Sequence, residues 1–511
     1  MNAGVTAGER FRSWSDIQAN AARAAGGLAA CGVGENDCIA LMLRNDFATF
    51  EVNMAASQLG AYAVPINWHF TPEEAGYILG DCAAKVLVAH TDLLAQIAAG
   101  VPEGVRVFAV PTPDEIAAAY NVPADKRAVP AGAERWDDFV AASVPRSAPP
   151  AAARGSMIYT SGTTGRPKGV RRQPSSPEQM AAAAQEAATF WGLKADPAIV
   201  TLMNGPMYHS APSAYGNASA RLGLHMVLQP RFEAEDMLRL IDRYKISHMH
   251  IVPTMFVRLL RLPPEVRQRY DVSSLRFVSH GAAPCAPAVK RQMIDWWGPV
   301  INEYYGATET GVVVWHGSEE ALRKPGTVGR VVPGGILRIV DEQGRDVKQG
   351  EVGEIYVRGP HLSEFTYNND DAKRQEIALG NLVTVGDIGY LDGDGFLFLC
   401  DRKRDMIISG GVNIYPAEIE SVLIQMPGVR DCAVFGIPDE EFGEHICAYV
   451  EAMAPATLDA AQVRAYLVQH LARYKVPKVV EFSAALPRED SGKIFKRKLR
   501  APYWEKSGRS I

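Results

Sequence analysis

From Ser13 onward, short apolar runs alternate with longer stretches whose apolar residues recur at helical spacing. An alanine-rich stretch predicts a helix to about Cys31, CIALML a strand, residues 47–59 a second helix and AYAVPI a second strand. Thr71-Pro72-Glu73-Glu74 reads as a helix start, and KVLVAH closes the series as another strand. Strands and helices in this rhythm predict parallel sheets covered on both faces, the doubly wound α/β class.

The rhythm resumes with a helix near residues 233–244, the strand ISHMHIVP, and LRFVSHGAAP leading to a helix that ends near Trp297. Between the two series, residues 128–156 are rich in Ala and Pro and predict a connection over the surface. After Gly329 the pattern shortens to strands divided by turns, ILRIVDEQGRDV, GEIYVRGP and GYLDGDGFLFLCDR, which predicts a small β subdomain over about 329–402. Its Asp392-Gly393-Asp394-Gly395 resembles the start of a calcium loop. The later ligand positions hold Phe, Leu and Cys, so a hairpin turn is expected instead. From Arg402-Lys403-Arg404-Asp405 the chain reads as a compact α+β unit, with strands DCAVFGIP and HICAYVEA and a helix reaching Tyr474. The expected division is 1–402 and 403–511.

At 511 residues the chain exceeds what one hydrophobic core organises. Its 47% apolar and 22% charged residues are those of a globular protein, and a net charge of −5 supplies no polybasic footprint for nucleic acid or an anionic membrane. Seven scattered cysteines without a CxxC pair suit a reducing compartment. The first residues lack the basic-then-apolar build of a signal peptide, and no apolar run approaches a membrane span, so a cytoplasmic location is expected.

Residues 159–170, YTSGTTGRPKGV, gather three glycines, four Ser and Thr hydroxyls and a lysine. They are not a Walker loop. Counting from Gly162, the second glycine position holds Pro167, and Gly169 follows Lys168 where Ser or Thr is required. The physics of anion binding survives: glycines admit the backbone close to an anion, amides and hydroxyls donate to it, and Lys168 adds a cation.

Four further stretches accompany this loop: MYHSAPSAYG (207–216), NEYYGATETG (302–311), TVGDIGYLDGDGFLFLCDRKRDMIISGG (384–411) and LPREDSGKIFKRKL (486–499). Their order and spacing resemble the adenylate-forming enzymes, specifically the acyl- and aryl-CoA synthetase branch. The resemblance implies a large N-terminal domain with a β subdomain and a small mobile C-terminal lid domain. It also implies a two-step reaction: a carboxylate attacks the α-phosphorus of ATP to give acyl-AMP and pyrophosphate, and the thiol of CoA then takes the acyl group. Two anions must meet, so fixed cations and donors have to offset their repulsion.

The same resemblance assigns the residues. Thr160, Ser161, Gly162, Thr163, Thr164, Gly165 and Lys168 would wrap the departing phosphates, Thr160 and Glu309 would hold Mg2+, and Thr308 would donate to the α-phosphate. Gly281, Ala282 and Ala283 with Tyr305 would form the adenine slot, beside Glu303, Tyr304 and Gly306. Asp387 and Arg402 would hold the ribose. Lys493 would bridge carboxylate and nucleotide, since an ammonium of pKa about 10.4 stays cationic at neutral pH. After the C-terminal domain rotates about Arg404, where the family more often has Asp or Lys, the strand Ser409-Gly410-Gly411 would flank the pantetheine arm of CoA.

His209, Ser210, Ala211 and Gly306 would line the acyl pocket. Acetate-specific relatives carry tryptophan at the position matching Gly306, so glycine implies open space and a medium or long fatty acid or a bulky ring-bearing acid. His280 replaces the usual small residue before GAAP, and its effect does not follow from the sequence. Two alternatives stay open: an enzyme loading a carrier protein's phosphopantetheine, and a non-catalytic nucleotide-binding protein. A homodimer stays open as the assembly.

Overall fold

Strand Cys38–Met42 shows why the first apolar runs are continuous. In the computed structural model, which describes residues 3–160, 166–360, 364–453, 458–488 and 494–506, this strand is buried along its whole length. Ile39 and Leu41 pack on one face with Leu28, Val52 and Trp136, whereas Ala40 and Met42 pack on the other with Ile78 and Leu94. A strand covered on both faces has no place for a polar side chain. It belongs to an all-parallel sheet of five, ordered Tyr62–Pro65, Cys38–Met42, Ala84–His90, Arg106–Val110, Glu134–Arg135. Helix Pro72–Asp81 starts where expected: Thr71 accepts from the Glu74 amide while the Glu74 carboxylate accepts from the Thr71 amide, a reciprocal cap of about 1 kcal/mol.

The Ala- and Pro-rich segment is more than a surface connection. It contains helix Trp136–Ala142, whose Trp136 is fully buried and donates from Nε1 to Glu51 Oε2 at 2.8 Å. Two buried residues four apart are too short a periodic signal to stand out from that background.

The second large sheet has nine strands, ordered Arg330–Val331, Gly311–His316, Ile301–Ala307, Phe277–His280, His248–Ile251, Val200–Met203, His225–Leu228, Gly4–Ala7, Arg10–Ser13. Its interior is parallel and its edges are antiparallel. From Val200–Met203 the chain goes first to one side, to His225–Leu228, and then to the other, to His248–Ile251. The carboxyl ends of parallel strands at such a reversal leave a crevice where ligands bind. Residues 204–209 leave from that point into helix Ser210–Arg221.

The expected β subdomain is a six-stranded antiparallel sheet from Ile336–Val340 to Leu397–Arg402. Its Asp-Gly-Asp-Gly run is a hairpin turn, in which Asp392 Oδ1 accepts from the amides of Asp394 and Phe396 and Lys324 pairs with both aspartates. A three-stranded sheet, Ile158–Thr160, Lys168–Arg172 and Phe365–Tyr367, ties the glycine- and hydroxyl-rich loop to this region. Beyond the turn at 403–405, a five-stranded sheet and helices Pro416–Leu423 and Ala460–His470 enclose a core of their own around Ile407, Ile419, Val434 and Val463. The helix expected to reach Tyr474 ends at His470, and Arg473–Lys475 form a separate 3-10 turn. Among the described residues no helix is long and apolar enough to cross a membrane.

Candidate functional site

Three elements converge on one carboxylate. Thr160 ends its strand and donates from Oγ1 to Glu309 Oε1 at 3.3 Å, so the two expected magnesium ligands are neighbours. Tyr367 donates from its hydroxyl to the same oxygen at 3.0 Å. Arg172 lies beneath, donating from Nη2 to the carbonyls of Thr308 and Glu309, and burial pulls its pKa down to about 10 against the opposing pull of Glu309. The donors are a carboxylate and a hydroxyl, the oxygen ligands magnesium prefers. Among the described residues there is no group of three or more His, Cys, Asp or Glu able to hold a metal. Two protein oxygens with the remainder from phosphate and water fit this ion, which usually keeps several waters.

Ser161, Gly162, Thr163, Thr164 and Gly165 lie outside the described residues. Lys168 opens the strand Lys168–Arg172 and pairs with Asp370, a partner with which phosphate oxygens would compete. Arg172 and Tyr367 were missed from sequence. The alternation Lys168, Val170, Arg172 could have suggested the first; Tyr367 comes from a distant strand through its register opposite Val170.

On the nucleotide side, Tyr305 donates from its hydroxyl to Asp387 Oδ2 at 2.7 Å, and Arg402, the register partner of Asp387, places Nε 3.5 Å from Oδ1. Burial raises the Asp387 pKa, with Arg402 opposing. Gly281 is required by close approach: a Cβ there would stand 2.7 Å from the Tyr304 ring. Ala282 adopts a left-handed φ of +65°, and Ala282 and Ala283 are exposed. Two expected nucleotide contacts need correction. The Glu303 carboxylate is turned into the core onto Lys290 and His316, and the Tyr304 hydroxyl lies 2.8 Å from His250 Nε2. Their side chains are occupied away from the slot.

On the acyl side, His209 takes the N-cap position of helix Ser210–Arg221, followed by Ser210 and Ala211. Thr308 donates from Oγ1 to Ser210 Oγ at 3.0 Å, joining the 302–311 motif to helix Ser210–Arg221. Gly306 does not open pocket space. A Cβ there would lie 1.9 Å from the Gly311 carbonyl oxygen, at a register irregularity between the two strands, so the glycine answers to a backbone contact.

In the C-terminal unit Ser409 ends a strand, and Gly410 and Gly411 are the turn of a hairpin, with φ of +57° and +79°, rather than a strand. Arg404 sits in the turn 402–405, closed by the Asp405 amide donating to the Arg402 carbonyl at 3.0 Å. The unit touches the larger part through Ala417, whose amide donates to Asp401 Oδ2 at 2.8 Å, and through Arg261, which donates to the Val429 carbonyl at 3.0 Å. Lys493 lies outside the described residues.

The AMP-binding enzyme family matches residues 3–365, and the AMP-binding enzyme C-terminal domain matches 418–493. An indoleacetate–CoA ligase of Aromatoleum aromaticum is 33% identical over 498 residues, 96% of this chain and 93% of that protein. A long-chain-fatty-acid–CoA ligase, FadD13, of Mycobacterium tuberculosis is 33% identical over 500 residues, with the same shares covered. The crystal structure of ATP-bound MatB from Rhodopseudomonas palustris superimposes with a TM-score of 0.82 at 28% identity, over 98% of this chain and 96% of that one.

Proposed function

This chain belongs to the AMP-binding enzyme family and is an AMP-forming acid–thiol ligase; from that premise we propose that it activates a hydrophobic carboxylic acid, a medium or long fatty acid or a bulky ring-bearing acid, and transfers it to CoA. The observation that carries the reading is the Thr308–Ser210 contact, which sets the phosphate-binding motif against the first turn of a helix opening with Ser210 and Ala211. Small side chains there leave room for an acyl group, and the two ligases at 33% identity act, by name, on indoleacetate and on long-chain fatty acids. The size argument from Gly306 is withdrawn.

In the first half-reaction a carboxylate oxygen of the acid attacks the α-phosphorus of ATP and the bond to pyrophosphate breaks. Thr308 donates to the α-phosphate, and Lys168 leaves Asp370 for the departing phosphates. Asp387 and Arg402 hold the ribose, with Tyr305 fixing the Asp387 carboxylate. A bound magnesium, held by Glu309 and Thr160, supplies charge neutralisation on the phosphate oxygens. The hydroxyls of Thr160 and Tyr367 hold the Glu309 carboxylate beforehand and the half-buried Arg172 holds its backbone, so little reorganisation is left for the transition state. In the second half-reaction the CoA thiol loses its proton to solvent, sulfur attacks the acyl carbon, and the bond from that carbon to the phosphate oxygen breaks, releasing AMP.

A screen of carboxylic acids for CoA-dependent AMP release tests the proposal. Long-chain or aromatic acids should give kcat/KM values at least tenfold above acetate and propionate. A preference for the short acids, or turnover with a phosphopantetheine carrier protein but not with CoA, would overturn it.

A further inference from the structure

His280, unexplained by the sequence, belongs to a buried polar row. It ends strand Phe277–His280, its register partner on the next strand is Glu303, and the partner of Glu303 on the strand beyond is His316. All three are almost fully buried, as is Lys290, which reaches over them from helix Pro287–Trp297. Lys290 Nζ contacts Glu303 Oε2 and lies 3.3 Å from His316 Nε2. His316 Nε2 is 2.8 Å from the same carboxylate oxygen, and His280 Nδ1 stands 4.0 Å from Oε1. Burial holds the His280 pKa down at about 3; burial pushes the Glu303 carboxyl up, but the Lys290 charge and the hydrogen bond with His316 outweigh it and hold Glu303 at about 2. The row is therefore a fixed Glu–Lys ion pair with a neutral His280 beside it at neutral pH.

None of these groups has a step in the reaction, yet the row brackets the slot. His280 immediately precedes Gly281, Lys290 lies in the first turns of the helix that follows, and Glu303 precedes Tyr305 by two residues. Between the two ends, Ala282 holds a left-handed backbone that costs a non-glycine residue about 1 kcal/mol or more. Such a conformation persists only when both ends of the segment are fixed. Met293, Ile294 and Trp297 bury the rest of the helix through non-directional apolar contacts. An ion pair with defined hydrogen bonds fixes position along the axis as well.

We infer that the Lys290–Glu303 pair, flanked by His316 and His280, positions the adenine slot by locking the first turns of helix Pro287–Trp297 to strand Ile301–Ala307. This rests on the reading of residues 281–283 as that slot. Lys290 and Glu303 are thus positioning residues, acting on ATP through the backbone of the loop between them.

The test removes both charges together, because deleting one leaves the other buried and uncompensated, which can unfold the protein. In the Lys290→Met/Glu303→Gln double variant, KM for ATP should rise about tenfold while kcat at saturating ATP stays within threefold. KM for acid and CoA should not move, and the preference for ATP over GTP in kcat/KM should fall about tenfold. A purely stabilising pair would lower the melting temperature without changing the base preference. If the double variant does not fold, Glu303→Asp, which keeps the charge and withdraws the carboxylate by one methylene, should raise KM for ATP at least threefold. Unchanged ATP KM and base preference in whichever of these variants folds overturn the inference. Ala283→Leu, at an exposed position in the slot, separates the two layers of the argument. If it blocks ATP while the pair variants do not, the positioning role alone fails; if it too leaves ATP KM unchanged, the slot itself is misplaced.

Discussion

Glu309 is 8% exposed, and its Oε1 takes hydrogen bonds from Thr160 and Tyr367 on two different strands. A carboxylate held this way would lose little entropy on binding a cation, and if Glu309 is the proposed magnesium ligand, its removal takes that ligand away without touching the hydrophobic clusters. Glu309→Ala should therefore reduce acid-dependent pyrophosphate release by roughly 100-fold or more, with a thermal transition close to that of the parent. Near-parental release by soluble protein would show that Glu309 is no ligand. At this scale, the motifs that carry the family resemblance named the candidates. Thr160, Thr308, Glu309, Asp387 and Arg402 stand in those motifs, and the structure brings Thr160 to Glu309 and Asp387 to Arg402 and Tyr305. Arg172 and Tyr367 escaped because their roles arise from register between strands almost two hundred residues apart, which leaves no local trace. Gly306 was misread for a related reason: sequence shows that a side chain is missing, and only the neighbouring strand shows what fills the space.

Among the elements, helix Phe47–Leu59 has the bounds its pattern predicts, and helix Ala234–Tyr244 begins after Glu233 caps it through two amides. Apolar period and caps are local properties, so they can be read before the fold is known. The register irregularity in the hairpin of Ile301–Ala307 with Gly311–His316 is not written in that period, and it changes what substitution at Gly306 would do. Any Cβ there meets backbone, so Gly306→Trp should part the two strands and lose soluble protein or at least 3 kcal/mol of stability. Turnover should fall alike for short and long acids. A stable variant that lost only long acids would restore the pocket-floor reading. The interior of the same sheet also sets a pH dependence. His248, His250 and His280 have folded pKa values lowered to about 4, 4 and 3, chiefly by burial. Their unfolded pKa is near 6.5, so below that pH the unfolded chain binds protons that the folded chain refuses. The stability associated with each is complete above about pH 6.5 and is lost as pH falls toward the folded value, at up to about 1.4 kcal/mol per pH unit per histidine. Thermal scans at one fixed rate should show the unfolding temperature falling from pH 6.5 to 5, before most carboxylates titrate, and less steeply in His250→Asn. An unfolding temperature flat down to pH 5 would rule this out.

Taken whole, the molecule has a hydrophobic cluster of its own beyond the turn at 402–405, where the charge run and the change from short strands to a new α+β pattern in the sequence predict a join. The contacts between the units are not written in any periodicity, because they include isolated polar contacts such as Arg261 to the Val429 carbonyl. If Lys493 serves adenylation alone and rotation about Arg404 serves the passage to thioester formation, the two half-reactions should separate by mutation. Lys493→Ala should stop acyl-AMP formation yet still convert supplied acyl-AMP and CoA to thioester at a substantial rate. Arg404 stands third in the turn 402–405, a position where proline forces the preceding residue out of the helical region. Arg404→Pro should fix φ at the pivot and restrict Lys403 as well, so that acyl-AMP forms at near-parental rate and accumulates while thioester formation falls at least tenfold. Single-turnover measurements of each half-reaction distinguish the cases. If both folded variants lose both half-reactions to the same degree, the two units do not alternate about this turn, and a fixed site must then perform both steps.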